Sequence, residues 1–207
     1  MSADFPVVLD LEGRDCLVVG AGRIAARKIA GLLAAGATVR VVAPDIGEEV
    51  SALADRVGVT RRPFEPADVD GAWLVVAATA DAAVDAEVFA AGQAARVWVN
   101  AADHPAACSV TLPAVGRRGP VTVAVSTAGQ SPALAVWLRD RIVADLGPEY
   151  EVLVDLLAAE RRARHAEGQG TEALDWQGAL DSDMLDLIRS GRVDRARERL
   201  QACLSSS

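Results

Sequence analysis

The chain has 207 residues, of which 51% are hydrophobic, and a formal net charge of −8 at pH 7. This length allows one full-sized domain with appendages or two small domains, with enough apolar residues for a core. The negative charge argues against nucleic acid as the main partner, and no apolar run approaches the roughly 20 residues that a membrane span requires.

The cysteines and the amino-terminal residues indicate the cellular compartment of the protein. Cys16, Cys108 and Cys203 are far apart and odd in number, which excludes a disulfide framework and a C-x-x-C metal site. We therefore expect buried or incidental thiols and no metal centre. The first residues, MSADFPVVLD, are acidic where a signal peptide would be basic. A cytoplasmic protein is expected.

The chain is organised around the stretch that begins at Asp15, DCLVVGAGRIAARKIAGLL. A short apolar run predicts a buried strand, which leads through Gly20 and Gly22 into an Ala- and Leu-rich helix. Gly20 permits a tight turn, Gly22 lets the backbone approach a pyrophosphate, and Ala25 lets the helix lie close to the sheet. The start of the helix directs N–H groups and its positive dipole end at the phosphates. The pattern predicts a dinucleotide site, and a plain strand-to-helix turn is the alternative.

Strands and helices alternate through the rest of the first half. A leading strand or extended arm is predicted at 4–11, further strands at 37–43, 57–64, 72–78 and 97–101, and helices at 48–56 and 82–95. This alternation predicts an α/β fold, a Rossmann-like doubly wound parallel sheet with helices on both faces. Trp73 and Trp98 are expected in its core.

Two places follow strands of this predicted sheet and are candidates for contact with the cofactor. Ala43-Pro44 is the tip of the second strand, and Thr79 begins a polar turn after the most apolar strand. Doubly wound sheets bind ligands at the carboxyl ends of their strands. Asp45 stands one position beyond the usual place of the acidic residue that binds the ribose. NAD and NADP both stay open at this tip, although no Arg stands there to receive a 2′-phosphate.

The pattern changes after residue 100. Asp103 and His104 lie in a loop after the fifth strand, and two strand-like stretches, 109–114 and 120–126, flank a Gly116–Gly119 loop. One hairpin alone is marginal, so its edges are expected to join the sheet of a second subunit. Ser131 is a predicted N-cap for a helix that begins at Pro132.

Charged helical sequence fills the remainder. Helices are predicted over 148–166, from 181–183 onward and over 193–203. Such a bundle either covers an active-site cleft or stabilises a dimer. Three regions are expected: a nucleotide-binding domain over 1–108, a hairpin-plus-helix dimerisation region over 109–146 and a helical carboxyl-terminal region over 147–207.

Five ordered segments carry a resemblance. The segments VVGAGRIAARK, VVAP, VVAAT, VNAADHPAACS and VSTAGQSPALA resemble, in order and separation, the precorrin-2 dehydrogenase family, which is also the amino-terminal part of siroheme synthase. The likeness covers residues 4 to 146 and is thin beyond them. It implies NAD-dependent oxidation of the tetrapyrrole precorrin-2 to sirohydrochlorin, joined in some members by insertion of ferrous iron. It also implies a homodimer that exchanges its hairpin region.

The resemblance also assigns residues. It implies that the glycine turn, the start of the helix, the strand tip and the polar turn bind NAD: Gly20, Ala21, Gly22, Arg23, Ile24, Ala43, Pro44 and Thr79. Asp103 falls on the family's catalytic aspartate. There a carboxylate can accept the proton lost with a hydride. The alternative is a loop Asp that caps the turn before Pro105.

Candidates for binding the carboxylate-rich substrate are His104, Arg117, Thr127 and Ser131. The alternatives for His104 are an acid, a transient iron ligand or, favoured for a single histidine without partners, an exposed loop residue. The Arg117-Arg118 pair is either a carboxylate clamp or solvated. Some members carry a serine associated with phosphorylation where this chain has Thr127, and Ala128 replaces a common glycine.

Three functions stay open. The chain is a dehydrogenase alone, a dehydrogenase that is also a ferrochelatase, or a Rossmann module that senses NAD or another nucleotide without catalysis. The third explains the glycine turn equally well but gives no reason for Asp103 or the TAGQSP segment.

Overall fold

The computed structural model describes residues 5–102, 104–172 and 174–205. The chain divides into two compact units, of which the first ends at Leu112 and the second begins at Pro113. The hairpin and the carboxyl-terminal helices share the second unit. The division into three regions stays a prediction.

The first unit contains a parallel sheet. Within the described residues its strands are β1 (Asp15–Val19), β2 (Thr38–Val42), β3 (Gly58–Thr60), β4 (Leu74–Ala77) and β5 (Trp98–Ala101). Their order is β3-β2-β1-β4-β5, and every neighbouring pair is parallel. The interior strands are continuous apolar runs because both faces of such a sheet are covered. The predicted Rossmann-like fold is confirmed.

Helices cover both faces of this sheet. They are α1 (Arg23–Ala34), α2 (Glu48–Ser51) and α3 (Ala82–Ala95), with single 3₁₀ turns at Pro66–Val69 and Pro105–Ala107. Cys16 and Val18 of β1 pack in one apolar cluster with α1, whereas Leu17 and Val19 pack in another with Val88 of α3. Alternate residues of a strand point to opposite faces. The helices α1 and α3 therefore lie on opposite sides of the sheet.

Three expectations for this unit are wrong in part. Residues 5–11 form no strand, and the helix predicted over 48–56 is only the four-residue α2 followed by turns. Trp73 and Trp98 are 52% and 54% exposed. Trp73 directly precedes β4 and Trp98 begins β5, so both lie at the amino ends of these neighbouring strands. The Arg14 guanidinium stacks 4.0 Å from the Trp73 ring.

The second unit contains a hairpin and helices. Its elements are β6 (Ala114–Arg118), β7 (Val121–Val125), α4 (Pro132–Asp145), α5 (Glu149–Ala166), α6 (Trp176–Leu180), α7 (Met184–Arg189) and α8 (Val193–Ser205). The strands pair antiparallel, and α4 packs on them, since a Cβ on Gly116 would collide with Val143. A separate apolar core joins α5 to α8. Among the described residues, no helix is long and apolar enough to cross a bilayer.

The hairpin register differs from the prediction. The first strand is 114–118 rather than 109–114, so Arg117 and Arg118 lie in the ladder opposite Thr122 and Val121 and not in the turn. The reversal occurs at Gly119, whose φ of +51° favours glycine. Arg118 also donates from Nε to the Leu146 carbonyl at 2.9 Å and so caps the end of α4. The prediction missed α6 and placed α5, α7 and α8 correctly to within a few residues.

Candidate cofactor and active site

The turn after β1 requires glycine at its first position. Gly20 has a φ of +102°, and a Cβ there would collide with the carbonyl group of Ala78. Its N–H donates to the Val42 carbonyl at 2.9 Å. The turn therefore lies against the ends of both β2 and β4. This is the tight turn that the glycine pattern predicts.

The start of α1 is open. Gly22 is the N-cap residue in an extended conformation, and among the described residues no heavy atom outside its immediate neighbours lies within 4 Å of the position a Cβ would take. The N–H groups of the first helical turn, from Arg23 and Ile24 onward, have no acceptor within the helix. Such a helix start attracts an anionic phosphate. The space and the donors both fit a pyrophosphate.

The tip of β2 lies beside this turn. Gly47, just beyond the tip, donates its N–H to the Ala21 carbonyl at 3.0 Å. Ala43 is buried and Pro44 is exposed, so Pro44 is the accessible one of the two predicted residues at this tip. The structure thus brings the predicted cofactor residues together at the carboxyl edge of the sheet.

The polar turn after β4 is tied to the loop after β5 by a buried carboxylate. Thr79 donates from Oγ1 to Asp85 Oδ1 at 2.7 Å and accepts from the Asp81 N–H at 3.1 Å. The other oxygen of Asp85, Oδ2, lies 3.0 Å from His104 Nδ1. Asp85 is 2% exposed, whereas the His104 side chain is 40% exposed. Thr79 and His104 are therefore held by one group that sequence reasoning missed.

The sequence contains a pattern that indicates a buried position for Asp85. The buried residues of α3 are Asp85, Val88 and Gly92, a spacing that places them on one face of the helix. An acidic residue on that inward face needs a hydrogen-bonding partner, because burying an unpaired carboxylate is costly. The helix spacing alone could have singled it out.

The loop after β5 is pinned by its own polar groups. Cys108 Sγ lies 3.2 Å from both the N and O atoms of Ala101 and 3.5 Å from the His104 carbonyl oxygen. Asn100 donates from Nδ2 to the Val110 carbonyl at 3.0 Å, while its Oδ1 is buried with no hydrogen-bond partner in the described part of the chain. Cys108 is thus a structural thiol. Asp103, the predicted catalytic residue, lies outside the described residues.

The remaining predicted substrate residues lie in the second unit. Arg117 is exposed on β6. Thr127 Oγ1 donates to the Ser131 carbonyl and accepts from the Ser131 N–H, both at 3.0 Å, and Ser131 Oγ accepts from the Leu134 N–H at 3.2 Å. The predicted N-cap at Ser131 is confirmed, and Ala128 in this loop has a φ of +50°. Substrate binding by these residues stays a prediction.

Comparison with known proteins decides the family. A family model described as putative NAD(P)-binding matches residues 7–114, more than half of the chain. The chain belongs to this NAD(P)-binding family. A second model, described as sirohaem biosynthesis protein central, matches residues 118–144.

Among residues 5–102, 104–172 and 174–205, no cluster of three or more His, Cys, Asp or Glu side chains could hold a metal ion.

Relatives of this NAD(P)-binding protein extend the likeness beyond residue 146. The siroheme synthase of Nitrosococcus oceani is 36% identical over 96% of this chain and 43% of its own length, and that of Ectopseudomonas mendocina is 42% identical over 98% and 44%. The chain therefore spans less than half the length of these relatives. The solved structure of "SirC, precorrin-2 dehydrogenase" is 28% identical, covers 97% of this chain and 98% of its own, and has a TM-score of 0.66. The predicted family resemblance is confirmed, and it also covers the carboxyl-terminal helices.

Proposed function

We propose that this chain oxidises precorrin-2 to sirohydrochlorin with NAD in siroheme biosynthesis. The main support is the open start of α1 beside the Gly20 turn, in a chain that matches a named precorrin-2 dehydrogenase over 97% of its length. The helices of the second unit belong to that shared length. We therefore include them in the proposed enzyme.

The cofactor is held by the carboxyl edge of the sheet. The N–H groups after Gly22 bind the pyrophosphate, and Thr79 lines the groove beside them. NAD is preferred to NADP because the tip of β2 presents Pro44 and Asp45, and an acidic side chain there repels a 2′-phosphate. When bound, NAD supplies the acceptor for the hydride.

Removal of a hydride requires a base for the accompanying proton. Asp103 is our candidate, because it follows β5 in sequence and the carboxyl ends of parallel strands are where such sheets place reacting groups. The substrate carboxylates need cationic side chains or N–H donors to bind them, because the protein as a whole is negatively charged, with a net charge of −8. His104, Arg117 and the backbone around Thr127 and Ser131 are the candidates.

We also propose a homodimer formed through the hairpin region. In the described residues, β6 and β7 pair only with each other, and α4 exposes Leu134, Val136, Trp137 and Ile142 by 42–55%. Unpaired strand edges and exposed apolar side chains favour association. Size-exclusion chromatography with light scattering should give twice the mass of one 21.6 kDa chain. A monomer at micromolar concentration would refute this proposal.

The activity is tested anaerobically with precorrin-2 and NAD. We expect NADH and sirohydrochlorin to form in equal amounts, and more slowly with NADP. Asp103→Ala should abolish both products while thermal unfolding stays unchanged. Asp55→Ala is the matched control, since Asp55 is an exposed acidic residue of the first unit. Undiminished turnover by Asp103→Ala would exclude Asp103 as the base.

Iron insertion is a second candidate activity. It is favoured by the relatives' description as siroheme synthases, and Asp103 can take protons from pyrrole nitrogens as the metal enters. Sirohydrochlorin with ferrous iron and no NAD tests it directly. NAD binding without turnover of either substrate would instead favour the nucleotide-sensing alternative.

A further inference from the structure

We infer that Asp85 is a positioning residue that holds His104 with its proton on Nδ1, so that Nε2 transfers the proton released in each turnover. This inference rests on the proposed dehydrogenase function and adds two residues to it. Its direct support is the placement of one buried carboxylate between Thr79 and His104.

Both oxygens of Asp85 are engaged. Oδ1 accepts from the Thr79 hydroxyl at 2.7 Å and Oδ2 lies 3.0 Å from His104 Nδ1. Asp85 also lies in the first turn of α3, where the helix dipole favours a negative charge. With 2% exposure, the carboxylate cannot be satisfied by bulk water. Its two partners lie 6 and 19 residues away in sequence, so the group fixes two separate segments relative to each other.

The identity of the acceptor sets the state of the imidazole. An ionised carboxylate accepts hydrogen bonds and donates none, so His104 Nδ1 must carry a proton. In the neutral ring Nε2 then holds a lone pair, and which nitrogen is protonated follows from the bond that the other makes. The same division of roles operates in Asp–His pairs that orient a catalytic base.

The proposed reaction removes one hydride and one proton from the substrate. When bound, NAD would accept a hydride from a C–H bond of the substrate; a second bond to hydrogen would break with its electron pair kept in the new double bond, and its proton would be released. His104 Nε2 accepts that proton once the proposed base has removed it from the substrate, and the resulting imidazolium returns it to water, since the side chain is 40% exposed. Asp85 keeps its charge and stabilises the imidazolium. Thr79, which lies at the predicted cofactor groove, is hydrogen-bonded to the same carboxylate.

The tautomer can be measured without substrate. The chain contains two histidines, His104 and His165, so ¹⁵N imidazole spectra of the full-length protein can be assigned with His165→Gln. We expect the neutral His104 ring to be protonated at Nδ1. In Asp85→Asn the amide NH₂ can donate to Nδ1, and we expect the proton to move to Nε2. Protonation at Nε2 in the native protein would overturn the inference even if Asp85→Asn does not fold.

Kinetics test the proton transfer. Asp85→Asn should lower kcat about tenfold or more, with KM changed less than about threefold, because positioned proton transfer contributes at least this much. In a His104→Gln background the same substitution should lower kcat no further, since Asp85 acts on the proton transfer through His104. Glu87→Gln is the matched control, because Glu87 is an exposed acidic residue on the same helix.

The outcomes separate the two proposals. Loss of kcat in Asp85→Asn that adds fully to that of His104→Gln, or a change confined to KM, would refute the role of His104 and leave the dehydrogenase proposal intact. Absence of NADH formation by the native protein would refute the dehydrogenase proposal. In that case the imidazole spectra still test whether Asp85 holds the proton of His104 on Nδ1.

Discussion

Replacing Gly20 should lower the stability of the fold, whereas replacing Gly22 should lower the affinity for NAD. Gly20→Ala places a side chain where φ is +102°, at a cost of about 1–2 kcal/mol for an L-residue. Its Cβ also meets the carbonyl of Ala78, whose N–H is fixed by a 2.8 Å bond to Val19. Backbone at this point cannot yield, and overpacking adds about 1–3 kcal/mol. We expect the free energy of unfolding to fall by about 2–5 kcal/mol.

Gly22→Ala should leave the fold intact. The position is extended and its Cβ meets no heavy atom of the described chain beyond its own neighbours. Loss of a favourable N-cap residue is offset by the smaller entropy of the unfolded chain, so the net change in stability is within about 0.5 kcal/mol. The added methyl group should instead occupy the space that we propose for the pyrophosphate. Losing one charge-assisted hydrogen bond costs about 1.5–3 kcal/mol, or roughly tenfold to hundredfold in Kd for NAD.

Urea unfolding followed by circular dichroism and calorimetric titration with NAD measure the two quantities. Gly31→Ala is the matched control: it lies inside α1, where its Cβ meets open space among the described residues, so it should stabilise the helix by up to about 1 kcal/mol and leave NAD binding unchanged. Native affinity for NAD in Gly22→Ala would refute the placement of the pyrophosphate. Equal destabilisation by Gly20→Ala and Gly22→Ala would refute the geometric distinction between them.

Two further predictions concern ionisable groups. Bonds of 2.8 and 2.6 Å from Arg62 hold the pKa of Asp68 below its usual value, so this carboxylate contributes stability above its unfolded pKa that is lost as the pH falls through its folded pKa. Asp68→Asn should therefore be less stable at neutral pH and lose less on acidification, measured by urea unfolding at a series of pH values; a parallel acid profile would contradict this. Burial raises the pKa of the Cys16 thiol to about 11, so a thiol reagent at mildly alkaline pH should modify Cys16 only in denaturant, as seen by peptide mass spectrometry. Modification in the folded protein would contradict the burial.

The sequence predicted the sheet well because its signals are local. Apolar runs bounded by Gly and polar turns identify buried strands, and α3 has the predicted bounds, 82–95. Its start is fixed by the Asp81 carboxylate, which accepts from the Ala83 N–H at 2.9 Å. Each of these signals lies within a few residues of the feature that it predicts.

Errors arose where the outcome depends on packing between distant segments. Trp73 and Trp98 are large apolar side chains of the kind found in cores, but both lie at the amino ends of their strands and are more than half exposed. The hairpin packs against α4, where a Cβ on Gly116 would collide with the Val143 side chain, and its neighbours there are distant in the sequence. The composition of a strand does not encode how it packs against segments that are distant in the sequence.

The Asp85 group shows how topology adds to a sequence pattern. Once β4 and β5 are known to be parallel neighbours, the residues that follow them must meet at one edge of the sheet, although 25 positions separate Thr79 from His104 in the sequence. A carboxylate on the inward face of α3, the helix that connects these strands, then has polar groups from both loops within reach. Sequence spacing alone does not predict a partner for Thr79 or for His104. The strand order and the inward face of α3 together indicate Asp85 as the partner of both. Asp85→Asn is therefore the substitution that most directly tests whether the loops after β4 and β5 act as one site.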